Sequence, residues 1–235
     1  MPLTLQSVLR WERERSPLVS HVTGLYLIAG ICGLVDAACF LSLGEVFAEM
    51  MTGNLLLFSF YVGTGHPIFQ NAVYLIALGA FALGAIAGGR IVRSAHGHTR
   101  LGFTVEWVFL AAATIMSMVL VPGSSGTVRD VVISLLAFAM GMQNALLRRH
   151  GVPDLATNVM TLTMTALVAE SSLSGGKNER WQRRFSSIAI FMLCAMLGAA
   201  LTKTVAPWAP FLLALILFSV ALNGLTRQGP PAPPQ

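Results

Sequence analysis

Continuous apolar runs of 16 to 25 residues recur along the whole chain, and no other feature constrains its fold as much. A run of roughly 18 or more apolar residues, wound as a helix, spans a hydrocarbon core about 30 Å thick. In lipid, every backbone polar group must find a partner inside its own segment or in a closed barrel. These runs are continuous rather than alternating, so they read as helices. Eight can be marked, at residues 19–43, 49–64, 70–90, 103–121, 130–147, 156–171, 186–203 and 206–224. Only 11% of the 235 residues are charged, against about 25% in a soluble domain. The mean hydropathy is +0.71. The fold class that follows is all-α: a polytopic transmembrane helical bundle, one domain over residues 1–228. A Pro-rich tail from Gly229 to Gln235 is expected to be disordered.

The first seventeen residues are amphipathic and of mixed charge, and the apolar run that follows them is too long for a signal peptide. The net charge of +5 is read as basic residues at cytoplasmic helix ends, not as a nucleic-acid footprint. The partners expected are therefore the lipid bilayer and a small solute or ion, with no nucleic acid. Cys32, Cys39 and Cys194 lie inside apolar runs without disulfide or metal spacing and read as packing residues. His66, His96, His98 and His150 fall in loops, and His96-Gly97-His98 alone is too little for a metal site. No metal and no cofactor are expected.

The positive-inside rule separates two topologies. With the N-terminus inside and all eight segments crossing, the fifteen Lys and Arg residues divide nine inside to six outside. If segments two and six enter and return on the same side, only Arg129 and Lys203 remain outside and thirteen lie inside. The second pattern is preferred: six crossings plus two re-entrant or broken segments, with both termini cytoplasmic.

A weak internal repeat points to the same two segments. Gly33-Leu34-Val35-Asp36-Ala37 matches Gly141-Met142-Gln143-Asn144-Ala145, and Met51-Thr52-Gly53-Asn54 matches Met160-Thr161-Leu162-Thr163. Each copy, about residues 17–122 and 128–225, holds three crossings, so the second must be inverted relative to the first. In inverted-repeat transporters, substrate sites lie near the midplane, where discontinuous helices meet. Here that predicts a site built from Asp36, Thr52, Gly53, Asn54, Gln143, Asn144, Thr161 and Thr163. Gly53 would free the backbone to break, and Thr52 or Asn54 would cap the helix that follows. Asp36 is the most telling residue, because an Asp at a helix centre costs about 2.5–3.5 kcal/mol on insertion scales. It is read as a proton or cation site facing the neutral Asn144; the alternative is an Asp that only pins helices together. Glu49, Glu106 and Glu170 fall near span ends and read as boundary groups. Gly84 with Gly88 and the 194–200 stretch are small-residue packing faces, within the chain or between protomers of a homo-oligomer.

The run from Gly33 to Ala37, then Gly44, Phe47 and Met51 to Asn54, with the later Gly141 to Ala145, resembles the signature of the YoaK-like family of bacterial membrane proteins. That resemblance implies a multi-spanning inner-membrane protein with a domain of unknown function, and no substrate. The family pattern carries a Thr-Gly pair in the second copy, whereas Leu162 follows Thr161 here. The expected function is a small secondary transporter for a polar or anionic solute, coupled to protons or cations at Asp36. A non-transporting structural or assembly protein is the alternative. A membrane-embedded enzyme is disfavoured, since no second carboxylate is expected at the depth of Asp36.

Overall fold

The computed structural model describes residues 21–94, 99–119, 126–150 and 160–227. The N-terminal arm, the His96-Gly97-His98 motif, Thr157 and the Pro-rich tail lie outside the described residues, and so does the expectation that the tail is disordered. Within them are eight α-helices, one for each apolar run, and no strand. They are α1 (His21–Ser42), α2 (Met51–Gly63), α3 (Ala72–Arg93), α4 (Thr99–Val119), α5 (Gly126–His150), α6 (Met160–Ala169), α7 (Trp181–Thr204) and α8 (Ala209–Arg227). Short 3₁₀ turns at Ile68–Asn71 and Ser172–Ser174 lead toward α3 and α7.

Five helices are long and apolar enough to cross a membrane: α1, α3 with its 3₁₀ turn, α4, α5 and α7. The apolar stretch of α8, Ala209–Leu222, is shorter. At a rise of 1.5 Å per residue, the 13 residues of α2 reach about 20 Å and the 10 of α6 about 15 Å, well short of a hydrocarbon core.

Two helices form the centre. α1 packs against α7 and α8, and α5 packs against α3 and α4. α1 is apolar nearly all round, as a helix enclosed by others must be, and so is the middle of α5, while the ends of α5 are polar. Ile28, Ile31 and Leu34 of α1 and Ile133, Leu136 and Met140 of α5 are completely buried. The outer helices instead expose large apolar side chains, among them Leu83, Ile115, Leu193 and Met196, which is where lipid would lie.

Glycines set the closest approaches, because without a Cβ one backbone can rest on another. A Cβ on Gly33 of α1 would strike the carbonyl oxygen of Phe191 in α7, and one on Gly141 of α5 would strike that of Phe81 in α3. Gly198 faces Leu34 and Ala37, while Gly88 faces Met142 and Ala145. Each contact of the α1–α7 pair thus has a counterpart in the α3–α5 pair, at residues about 110 apart. Contacts advance together along both members of each pair, so α1 runs parallel to α7 and α3 parallel to α5. The Gly84/Gly88 face is consumed by α5 inside the chain, where Gly84 abuts the Phe138 carbonyl.

α1 ends in a Schellman turn: the Glu45 N–H donates to the Phe40 carbonyl at 3.1 Å, with Gly44 at φ +90°. Glu45 follows in the left-handed region at φ 58°. This reversal sends residues 46–50 back along α1 to the level of Asp36, six residues or about 9 Å before Ser42. α2 then returns toward the end it left. The Tyr61 hydroxyl donates to Glu45 at 3.0 Å, and the Tyr61 ring stacks on Tyr74 at the start of α3. Gly44 also lies beside Arg129, in the first turn of α5. The ends of α1 and α2 and the starts of α3 and α5 therefore gather at one end of the bundle.

Candidate functional site

The site begins with how the chain holds the returning segment. Asp36 is 4% exposed and accepts three backbone N–H groups: Ala48 at 2.8 Å and Glu49 at 2.9 Å on Oδ1, and Met50 at 3.1 Å on Oδ2. No side chain of the segment itself caps α2. Asp36, reaching across from α1, places a carboxylate where a capping residue would sit and balances the partial positive charge of that helix start. Asn54 performs a second clamp. Its amide accepts from Phe47 N–H at 2.9 Å and donates to Phe47 carbonyl at 2.8 Å, fully buried. The Phe47 ring stacks on Phe40, with centroids 5.1 Å apart, and lies over Gly53, where a Cβ would come within 2.9 Å of it.

This geometry corrects three expectations. Thr52 and Asn54 do not cap α2. Gly53 does not mark the break; it sits inside α2 because only a glycine fits beneath Phe47, while the reversal is made at Gly44 and Glu45. Glu49 is not a boundary group. The loop carries it inward, where its carboxyl faces the Cys32 thiol and the Asn144 amide and feels the charge of Asp36. Its Oε1 is sealed from solvent and has no hydrogen-bond partner. A second carboxylate therefore does share the depth of Asp36.

A cavity of about 460 Å³ opens at this point. Of the residues predicted from the sequence it is lined by Asp36, Thr52, Asn144 and Thr161. Glu49, Met50 and Met51 join them from the returning segment, Phe81 and Phe191 from α3 and α7, and Met160 from α6. The lining thus draws on both halves of the chain. Its charged lining residues are Asp36 and Glu49, with no Lys, Arg or His among the described residues. Gly53, Asn54, Gln143 and Thr163 stand outside the lining. Thr163 is buried, and Gln143 donates to the Cys32 sulfur at 3.3 Å, leaving its own Oε1 without a partner. Asn144 donates to its own helix at Met140 carbonyl, at 2.8 Å, besides reaching Glu49. An adjoining cavity of about 450 Å³ shares Phe81 and Asn144 and carries Arg93 and Arg148 on its wall.

Of the two other acids expected at boundaries, Glu106 departs from that reading, whereas Glu170, just past the end of α6, agrees with it. Glu106, in α4, is completely buried and neither carboxyl oxygen has a partner. Glu170 is half exposed and pairs with the buried Arg184 at 2.7 Å, while Arg184 also donates to the Ala166 carbonyl at the end of α6. That is a C-terminal helix cap as well as an ion pair. Among the described residues no group of His, Cys, Asp and Glu side chains is placed to hold a metal ion.

Phe81, Phe191 and Met50 belong to no motif that pointed to a site, and Met51 and Met160 open the two matched motifs without having been read as lining residues. The one available signal for the phenylalanines was their place in the repeat, since each supplies the carbonyl on which a glycine of the other helix rests.

A family model described as a protein of unknown function (DUF1275) matches residues 24–223. The UPF0700 transmembrane protein YoaK of Bacillus subtilis (strain 168) is 28% identical over 159 residues, covering 64% of this chain and 67% of that protein. No solved structure matches the chain.

Proposed function

Because this chain belongs to the DUF1275 family of YoaK-like membrane proteins, whose function is unknown, its activity must be read from its own cavity, and we propose that it is a small secondary transporter. The observation that carries this reading is the polar cavity between the halves, at the point where α2 begins inside the bundle. Sites of this kind, at a broken helix and a repeat interface, hold the substrates of inverted-repeat carriers.

The inverted arrangement has its own support. Gly44, just past α1, lies beside the side chain of Arg129 in the first turn of α5, which supports reading the two matching helices as running in opposite directions. α2 turns back toward the end that α1 reached, which supports a re-entrant reading. Lys and Arg then collect at the opposite end, with Arg90, Arg93, Arg100, Arg148 and the 177–184 stretch, and that end is read as cytoplasmic. On this reading the chain resides in the cytoplasmic membrane with both termini inside, and α8 serves as the sixth crossing. The solute is small and either cationic or neutral and polar.

Thr52→Cys and Thr161→Cys proteins should react with a small water-soluble maleimide, and the purified protein in liposomes should move protons across the membrane when its solute is added. A cavity that leaves both cysteines unreactive, with no solute-driven flux, favours the structural reading instead. An enzymatic role gains little from the second carboxylate. Both oxygens of Asp36 are occupied by backbone N–H groups, which leaves one free acid rather than an acid–base pair.

A further inference from the structure

We infer that the cavity takes a small organic cation, of the methylated-ammonium class, and that Glu49 rather than Asp36 is the carboxylate that binds it. This rests on the transporter reading only for the movement of the cation, not for its binding. Asp36 has no capacity to spare. Its two oxygens accept three N–H groups that fix the start of α2. Glu49 lines the same cavity, and one of its carboxyl oxygens, Oε1, is sealed behind that wall with no hydrogen-bond partner. The Cys32 thiol and the Asn144 amide face this carboxyl but carry no charge, so a buried carboxylate here is left without a counter-charge, and either a proton or a cation relieves that cost. The two occupants exclude one another: as the cation arrives, the Glu49 proton leaves to solvent, and the charge of the site is unchanged.

The remainder of the lining selects the kind of cation. A hard inorganic ion such as Ca²⁺ takes six to eight oxygen ligands. Beyond Asp36 the side chains of the cavity offer fewer, from Glu49, Asn144, Thr52 and Thr161. What it has instead is two phenylalanine side chains and three methionine thioethers. Aromatic faces attract quaternary ammonium groups, and thioethers are polarizable and adapt to rounded apolar surfaces. A volume of about 460 Å³ is ample for an ammonium group carrying several methyls. On the far side of Phe81 and Asn144, Arg93 and Arg148 repel a cation, which keeps it beside Glu49.

The test is ligand-dependent thermal stability of the purified full-length protein in detergent, with tetramethylammonium chloride as probe and sodium chloride at equal ionic strength as control. Tetramethylammonium at 10 mM should raise the melting temperature of the wild type. Glu49→Gln should abolish the increase, and Phe191→Leu should weaken the apparent affinity at least several-fold. Lowering the pH should weaken the response of the wild type, as protons displace the probe. Should Glu49→Gln prove unstable, Phe191→Leu and the pH series decide the matter alone. No response to tetramethylammonium overturns the inference, as does a response unchanged in the variants or stabilisation by sodium phosphate alone. Binding without flux in liposomes supports the cation site and overturns the transporter reading. Flux of a neutral solute without tetramethylammonium binding does the reverse.

Discussion

Asp36 accepts hydrogen bonds from three consecutive backbone N–H groups, so its loss falls on the fold before it falls on any ligand. Asp36→Ala leaves those donors buried and unmatched, at about 1–3 kcal/mol for each one that water cannot reach. Asp36→Asn retains one acceptor oxygen and is expected to lie between alanine and the wild type. Both orderings can be read from thermal unfolding of the purified protein in detergent. Asn54→Ala should also destabilise, by roughly 1–3 kcal/mol, because it strips both backbone groups of Phe47 of their partner. Equal melting temperatures for Asp36→Ala and the wild type would show that the clamp does not hold the start of α2. The sequence identified Asp36 and Asn54 as special through their cost in a membrane and their place in the repeat. It could not say whether those polar atoms face a solute or the chain's own backbone, since burial makes both equally necessary.

At the scale of elements, the helix pairs α1–α7 and α3–α5 depend on glycines pressed against carbonyl groups of the partner helix. Gly33→Ala and Gly141→Ala each force those backbones apart. Overpacking of this kind typically costs about 1–3 kcal/mol. Gly79→Ala, on an open face of α3 with nothing within 4 Å, is the matched control. It should be neutral or slightly stabilising, since alanine favours a helix over glycine by about 0.8–1.0 kcal/mol. If all three variants melt alike, the close crossings are not what hold the pairs together. The helices themselves were legible as apolar runs, and every described helix falls within a few residues of one. Which glycine meets which carbonyl was not legible, because small residues spaced by four allow contact within the chain or between chains.

For the molecule as a whole, the decisive property is which way each half faces. A cysteine at Gly65, between α2 and α3, and one at Lys177, between α6 and α7, should label from opposite sides of the membrane with an impermeant maleimide. Lys177→Cys should label only after the cytoplasmic face is opened. If all eight segments cross, both positions fall on the cytoplasmic side, and equal protection of the two would discard the inverted arrangement. The same experiment bears on the cavity, because a site shared between oppositely facing halves can be opened to either side by rocking one against the other.

The sequence by itself determined the class of solvent this chain folds in and the number and extent of its helices. Apolar run length against bilayer thickness is a one-dimensional property, and so is the excess of Lys and Arg at alternate helix ends. The two pairs of matching motifs were visible too, since they are short strings in the same order in each half of the chain. Only the tertiary structure decided how the polar residues divide their work. The turn at Gly44 and Glu45 folds the chain back by about 9 Å, and that single reversal moves Glu49 from the rim to the interior. It also commits Asp36 to the backbone of residues 48–50. Both outcomes depend on contacts between segments that are distant along the chain or reversed in direction, and no local pattern of residue types encodes them.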